Sequence, residues 1–298
     1  MFGTVVTRED MAKVLRWVSV EWLRANLDRE LTILDCQPNV HDYVRGHIPG
    51  AVYLAEESLR LSSLGMPHVW LDEGTASSIL SRVGVPRNRP VLTYSSINPQ
   101  VPTGDGVPQC MMAYSLARYG HENIFVLDGG LDEWMKGGGR IETRYPAMEP
   151  SSFSARLDRS LFIEYEEFLR VKDDRGVVHI DTRSSNQYQG RSPWPKEGHI
   201  PGAINIPWSE CFAQENLCLL RPKEEIGEMF SRAGVTRDKT IICHCGSGRK
   251  AAAQLIVLKF LLGFPEVRLF EGSFTEWCAH PENPTVTGPS PSGKLFTN

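Results

Sequence analysis

Cys243-His244-Cys245-Gly246-Ser247-Gly248-Arg249-Lys250 gathers more residues capable of chemistry than any other stretch of the chain. Thr240-Ile241-Ile242 precedes it and Ala251-Ala252-Ala253 follows, so the pattern reads as strand, short glycine loop and helix start. At the carboxyl end of a parallel strand, the Cys245 thiol faces the positive end of that helix and a ring of backbone N–H donors; both stabilise an anion. Gly246 and Gly248 let the backbone curl without a Cβ clash, so that the N–H groups of residues 246 to 250 converge. Arg249 and Lys250 add positive charge to the same cradle. The sulfur is expected at the mouth of this half, open to a ligand.

A cysteine that opens such a loop serves phosphoryl or sulfur transfer. The phosphatase loop, Cys-x5-Arg, clamps phosphoryl oxygens with an arginine that here falls at position 251, which is Ala251. The shorter loop suits a single sulfur atom, held as a persulfide on Cys245. The other cysteines, Cys36, Cys110, Cys211, Cys218 and Cys278, read as packing residues. Cys243, two residues earlier on the same strand face, reads as a buried strand residue, with a metal pair or a resolving thiol as alternatives. Seven cysteines, an odd number without a CxxC pair, fit reduced thiols in a cytosol-like compartment better than a disulfide framework.

The elements that position this loop occur twice. Gly46-His47-Ile48-Pro49-Gly50-Ala51 recurs at 198–203, Ser81-Arg82-Val83-Gly84-Val85 recurs as Ser231-Arg232-Ala233-Gly234-Val235, and Asp128-Gly129-Gly130-Leu131-Asp132-Glu133-Trp134 returns loosely as Glu271-Gly272-Ser273-Phe274-Thr275-Glu276-Trp277. Three matches in one order, about 150 residues apart, indicate a tandem duplication. In the first half 31–35, 91–94 and 124–127 read as strands, and in the second 177–181, 240–243 and 267–270; 19–24 and 250–262 read as helices. Apolar strands alternating with helices imply an α/β fold, a parallel sheet covered on both faces, formed twice. The expected division is a domain at 15–138, a catalytic domain at 155–279, a linker from Gly137 to Pro150, and a flexible, proline-rich tail at 280–298. Ser95 occupies the position equivalent to Cys245, so the first domain is expected to be inactive.

The 298 residues, 41% apolar and 23% charged, have ordinary globular composition. A net charge of −4 argues against a general nucleic-acid binder. No apolar run is long enough to span a membrane, and the start lacks a secretory signal pattern.

The paired Gly-His-Ile-Pro-Gly-Ala motifs, Leu157-Asp158-Arg159-Ser160-Leu161, Cys245-Gly246-Ser247-Gly248 and the motif at 271–277 together resemble the two-domain rhodanese family of thiosulfate and 3-mercaptopyruvate sulfurtransferases, over about residues 15–279. The resemblance implies two rhodanese-like domains, each a five-stranded parallel sheet flanked by helices, with the active site in the cleft between them. It also implies that Cys245 takes a sulfane sulfur from thiosulfate or 3-mercaptopyruvate and passes it to cyanide or to a thiol such as thioredoxin or glutathione. No metal or organic cofactor is required, and the expected location is cytoplasmic, with a mitochondrial one left open. The loop resembles that of mercaptopyruvate enzymes, in which the loop serine acts with a histidine and an acidic residue of the first domain; these align with Ser247, His68 and Glu57. Gly246, Gly248, Arg249 and Lys250 are expected to bind the donor. An arginine that holds the donor's anionic group in the family aligns with Gln187; a neutral amide cannot replace it, which leaves Arg191, Lys196 or Arg249 to supply the charge.

His47 and His199, in turns copied in both halves, read as structural; Trp134 and Trp277 read as core, and Arg183 as the partner of a nearby carboxylate. Two other functions compete: a phosphatase or arsenate reductase on the same scaffold, weakened by Ala251, and a non-enzymatic binding module in which Cys245 senses redox state. The long first-half loop at 96–106 has no assigned role.

Overall fold

The computed structural model describes residues 14–97 and 105–289. The first half comprises β1 (Val14–Val18), α1 (Val20–Asn26), β2 (Thr32–Asp35), α2 (Val40–Arg45), β3 (Val52–Tyr53), β4 (Arg60–Ser63), β5 (Met66–Trp70), α3 (Glu73–Arg82), β6 (Val91–Tyr94), α4 (Val107–Arg118), β7 (Asn123–Leu127) and α5 (Gly130–Lys136). The second comprises β8 (Phe162–Ile163), α6 (Tyr165–Val171), β9 (Val177–Asp181), α7 (Ser185–Gln189), β10 (Ile204–Asn205), β11 (Phe212–Ala213), β12 (Asn216–Leu220), α8 (Lys223–Arg232), β13 (Thr240–His244), α9 (Arg249–Ile256), β14 (Val267–Phe270) and α10 (Ser273–Ala279). Each half forms a five-stranded sheet, in the orders β1-β7-β6-β2-β3 and β8-β14-β13-β9-β10. Every pairing in both sheets is parallel, and the two orders correspond strand for strand. The duplication read from three motifs is thus a duplication of topology.

The runs expected to be strands are strands. β6 is buried at every position, as a central strand covered on both faces must be. Ser19 caps α1 by accepting the Trp22 N–H at 3.2 Å. The helix expected at 250–262 is α9 followed by a π-helical turn at Val257–Leu261. Two antiparallel hairpins, β4–β5 and β11–β12, are additions to the expected pattern.

One core runs through both halves, containing Met111, Tyr114 and Leu116 of α4 together with Leu255 and Ile256 of α9; separate cores fill the outer faces. All twelve residues of α4 are buried, the signature of a helix covered on every side. Trp134 and Trp277 lie in the outer cores and donate to the carbonyls of Arg140 and Pro284.

The segment after each domain folds back onto its repeated turn. His47 and Glu142 exchange backbone hydrogen bonds at 3.0 and 2.9 Å, and His199 and Val286 do so at 2.9 and 3.0 Å. Each histidine ring stacks on a tyrosine, Tyr43 or Tyr188, and bonds that tyrosine's carbonyl through Nδ1 at 2.8 Å, an arrangement that shapes the turn. The tail therefore differs from expectation as far as residue 289: Lys196 Nζ binds the carbonyls of His280, Pro281 and Asn283, and Asn283 is buried. Residues 290–298 and most of the 96–106 loop, 98–104, lie outside the described residues.

Among the described residues no helix is long and apolar enough to cross a membrane, no group of three or more His, Cys, Asp or Glu side chains is arranged to hold a metal, and all seven cysteines are free.

Candidate active site

Cys245 follows β13, and α9 begins four residues later with Gly248 as its N-cap. The carbonyls of the peptide groups between them are all taken by protein donors. The carbonyl of Cys245 accepts from the Phe274 N–H at 3.0 Å, that of Gly246 from the Thr275 N–H at 2.9 Å and hydroxyl at 2.8 Å, and that of Gly248 from the Ala252 N–H at 3.0 Å. The carbonyl of Ser247 accepts from Arg60 Nη1 at 2.9 Å. In a trans peptide the N–H points opposite to the C=O, so the N–H groups of Gly246, Ser247, Gly248 and Arg249 face away from these partners. None of the four has an acceptor among the described residues. Four unpaired donors on consecutive peptides form an anion-binding nest.

Two glycines make the curl possible. Gly248 has φ +79°, and a Cβ there would lie 2.7 Å from the Glu271 carbonyl oxygen; a Cβ on Gly246 would sit 2.1 Å from the Trp194 ring. The Cys245 N–H donates to Ser273 Oγ at 3.1 Å, and Ser273 itself has φ +52°. A non-glycine residue held in this region is a strain that the surrounding structure must impose.

Cys245 is 2% exposed, which corrects the expectation of a sulfur open at the mouth. The first domain meets the far end of the loop, where Arg60 binds the Ser247 carbonyl and Glu56 and Asp105 bind Arg249. Its hairpin β4–β5 and the 3-10 turn Glu56–Leu59 bring Glu56, Glu57, Arg60 and His68 to the second domain. A cleft of about 270 Å³ between the domains is lined by Met66, His68, Trp70, Tyr165, Ser247 and Thr275, among others. The structure thus brings Ser247 and His68 to one cleft. His68 Nδ1 lies 3.2 Å from Glu57 Oε2, so with the carboxylate accepting, Nε2 is left as the basic nitrogen.

The cations expected around the donor are distributed differently. Arg249 forks onto Asp105 at 2.8 and 3.0 Å and reaches Glu56 through Nε; with its charge matched by two carboxylates of the first domain, it joins the domains rather than awaiting a donor. Burial pushes the Glu56 carboxyl up, against the pull of Arg249. Lys196 is committed to the carbonyls after α10. Arg191 is exposed and Lys250 half-buried, and neither forms an ion pair among the described residues. Gln187 lies half-buried on α7, its N–H 3.5 Å from Ser184 Oγ.

The remaining thiols are set apart. Cys36, Cys110, Cys218 and Cys243 are fully buried and held far above the ordinary thiol range by desolvation, and Cys211 is pushed up to about 12 for the same reason. Arg183 pairs with Asp181 at 2.6 Å, both nearly inaccessible. At the first-half equivalent of Cys245, Ser95 donates its N–H to Gln109 Oε1 at 3.0 Å, and its buried hydroxyl has no partner among the described residues. Ala251 is fully buried in α9, where a phosphate-clamping arginine would have to stand.

Sequence reasoning missed Arg60, Glu56, Asp105, Thr275 and the Glu271 cluster. Glu271 accepts from Tyr114 at 2.7 Å and from Arg118 at 2.7 and 3.1 Å, both on α4. Burial pushes the Glu271 carboxyl up against the pull of Arg118. Only the motif at 271–277 hinted at any of these, as a repeat.

The Rhodanese-like domain family model matches residues 19–137 and 164–280, most of the chain. The chain belongs to the rhodanese family. This rhodanese is 33% identical over 297 residues to a Synechococcus elongatus protein provisionally named thiosulfate sulfurtransferase, covering 96% of this chain and 89% of the relative. It is 28% identical over 282 residues to the 3-mercaptopyruvate sulfurtransferase of Escherichia coli, covering 90% and 96%. A crystal structure of the Escherichia coli 3-mercaptopyruvate enzyme SseA superposes on this rhodanese with a TM-score of 0.77 at 27% identity, covering 86% of this chain and 98% of that one.

Proposed function

We propose that this rhodanese is a sulfurtransferase that carries a sulfane sulfur on Cys245. The Cys245 thiolate attacks the outer sulfur of thiosulfate or the sulfur of 3-mercaptopyruvate, forming an S–S bond. The donor's own bond to that sulfur breaks, and its electron pair departs as sulfite or, after taking up a proton, as pyruvate. An acceptor thiol then attacks the terminal sulfur and regenerates the cysteine; cyanide serves in the same way. The observation that carries this reading is the loop after β13, whose carbonyls are all taken and whose four N–H groups are left without an acceptor among the described residues, as suits a persulfide anion.

In this reading Ser247, His68 and Glu57 manage the proton when 3-mercaptopyruvate is the donor, while Arg191 and Lys250 are the cations still available to a donor's anionic group. Gly246 and Gly248 shape the nest and Gln187 tunes donor preference. The first domain, 15–138, contributes no nucleophile, because a serine hydroxyl at position 95 forms no stable persulfide; residues 155–279 are the catalytic unit. Thioredoxin or glutathione is the class of acceptor, and the free cysteines favour a reducing, cytoplasmic setting.

Intact-mass measurement after incubation with each donor tests the proposal. One added sulfur on the wild type and none on Cys245→Ser is the expected result; no addition with either donor refutes it.

A further inference from the structure

Three of the four loop carbonyls are held by the second domain itself, through Phe274, Thr275 and Ala252. The fourth, Ser247 C=O, is held from the other domain by the Arg60 guanidinium. This bond orients the peptide that carries the Gly248 N–H, one of the four donors of the nest. The other branch of the same guanidinium, Nη2, binds Glu57 Oε1 at 2.9 Å, and the second oxygen of Glu57 holds His68. The Arg60 side chain is 1% exposed and lies over the Trp70 ring at 5.6 Å, which leaves it little freedom to choose other partners. A planar fork with separate N–H groups satisfies two acceptors set apart in space; a lysine ammonium on its flexible stem satisfies them with poorer geometry.

We propose that Arg60 is a positioning residue: it turns the Gly248 N–H toward the sulfur of Cys245 and, through Glu57, aims His68 at the same cleft, so that the nest is complete only when the two domains are closed. The idea rests on the sulfurtransferase reading of Cys245. It acts on the transition state and the bound persulfide more than on donor capture, because Arg60 has both arms committed to protein groups.

The test compares Arg60→Met and Arg60→Lys with wild type, using thiosulfate and 3-mercaptopyruvate as donors and iodoacetamide as a donor-free probe of Cys245. In Arg60→Met, kcat for persulfide formation is expected to fall by about 10- to 100-fold, less than the roughly 100- to 1,000-fold cost of removing an anion-stabilising donor outright, because the Gly248 N–H is misdirected and not deleted, with KM shifted by less than about threefold. The rate of Cys245 alkylation at neutral pH falls by about tenfold, an effect that loss of stability alone does not produce. Arg60→Lys, which keeps one charged donor, recovers part of both effects. Unchanged kcat and an unchanged alkylation rate in Arg60→Met overturn the proposal, as do equal losses in both variants that track only their melting temperatures. Should Arg60→Met fail to fold, the alkylation rate of Arg60→Lys decides, an unchanged rate overturning the idea. Wild-type protein that accepts no sulfur refutes the parent reading, while the alkylation rates still decide the role of Arg60.

Discussion

The Gly246 carbonyl accepts two hydrogen bonds from a single residue, Thr275: its N–H at 2.9 Å and its hydroxyl at 2.8 Å. The same hydroxyl accepts from Trp194 Nε1 at 2.8 Å, and the Trp194 ring covers Gly246. Thr275→Val keeps the N–H bond but strands the indole N–H, at a cost of about 1–3 kcal/mol. The expected outcome is a melting temperature lower by several degrees, with persulfide formation reduced several-fold; Thr275→Ser keeps both properties. Differential scanning fluorimetry and single-turnover kinetics check this pair, and equal behaviour of the two variants refutes the role of the hydroxyl.

Arg249 gives a prediction opposite to a donor-binding role. Arg249→Met leaves the Glu56 and Asp105 carboxylates without their shared cation at the domain interface. Breaking a buried pair in this way costs about 3–5 kcal/mol. Urea unfolding is expected to show that loss, whereas Arg249→Met combined with Glu56→Gln and Asp105→Asn regains much of it. In variants that fold, donor KM changes little; a tenfold rise in KM with unaltered stability restores Arg249 to the donor site.

Acid lability follows from His244, next to Cys245. It is fully buried, faces His179 Nδ1 at 3.5 Å and the Phe168 ring, and desolvation lowers it to about 4, with Asp181 and Arg183 opposing each other nearby. A histidine depressed in the folded state stabilises above its unfolded value near 6.5, and this contribution is lost as pH falls toward 4. His179 is depressed as well, and adds in the same direction. Melting temperature is expected to be flat between about pH 7 and 8 and to decline through pH 6 to 4. His244→Asn flattens that decline, and an equally steep decline in the variant contradicts the assignment.

Gln187→Arg supplies a cation where the family's donor-binding arginine aligns. Its kcat/KM for at least one of thiosulfate and 3-mercaptopyruvate is expected to rise several-fold over wild type. Improvement with neither means that α7 does not reach the donor.

Local order in the chain determined how much was readable beforehand. The central strands were legible because β2 and β6 are buried at every position and β13 carries Ile241-Ile242-Cys243 in one run. The Cys245 loop was legible because its cysteine, glycines and helix start are consecutive. β1 was not, because Arg16 interrupts Val14-Leu15 and Trp17-Val18; that guanidinium lies over the Phe125 ring at 4.8 Å. The hairpin carrying His68 was missed because Leu64 and Gly65, both at positive φ, turn a stretch without β-branched alternation. The interdomain bonds were beyond reach for a simpler reason. Arg249 and Glu56 are 193 residues apart and Arg118 and Glu271 are 153 apart, and no periodicity or motif encodes a partner at that separation.

The complete burial of α4 ties the fates of the two halves together. A fragment containing only the nucleophile's half would present to water the apolar strip that this helix now covers, and would be expected to clump or to fold poorly. The N-terminal copy thus serves as a wall of its twin, whatever chemistry it does or does not perform.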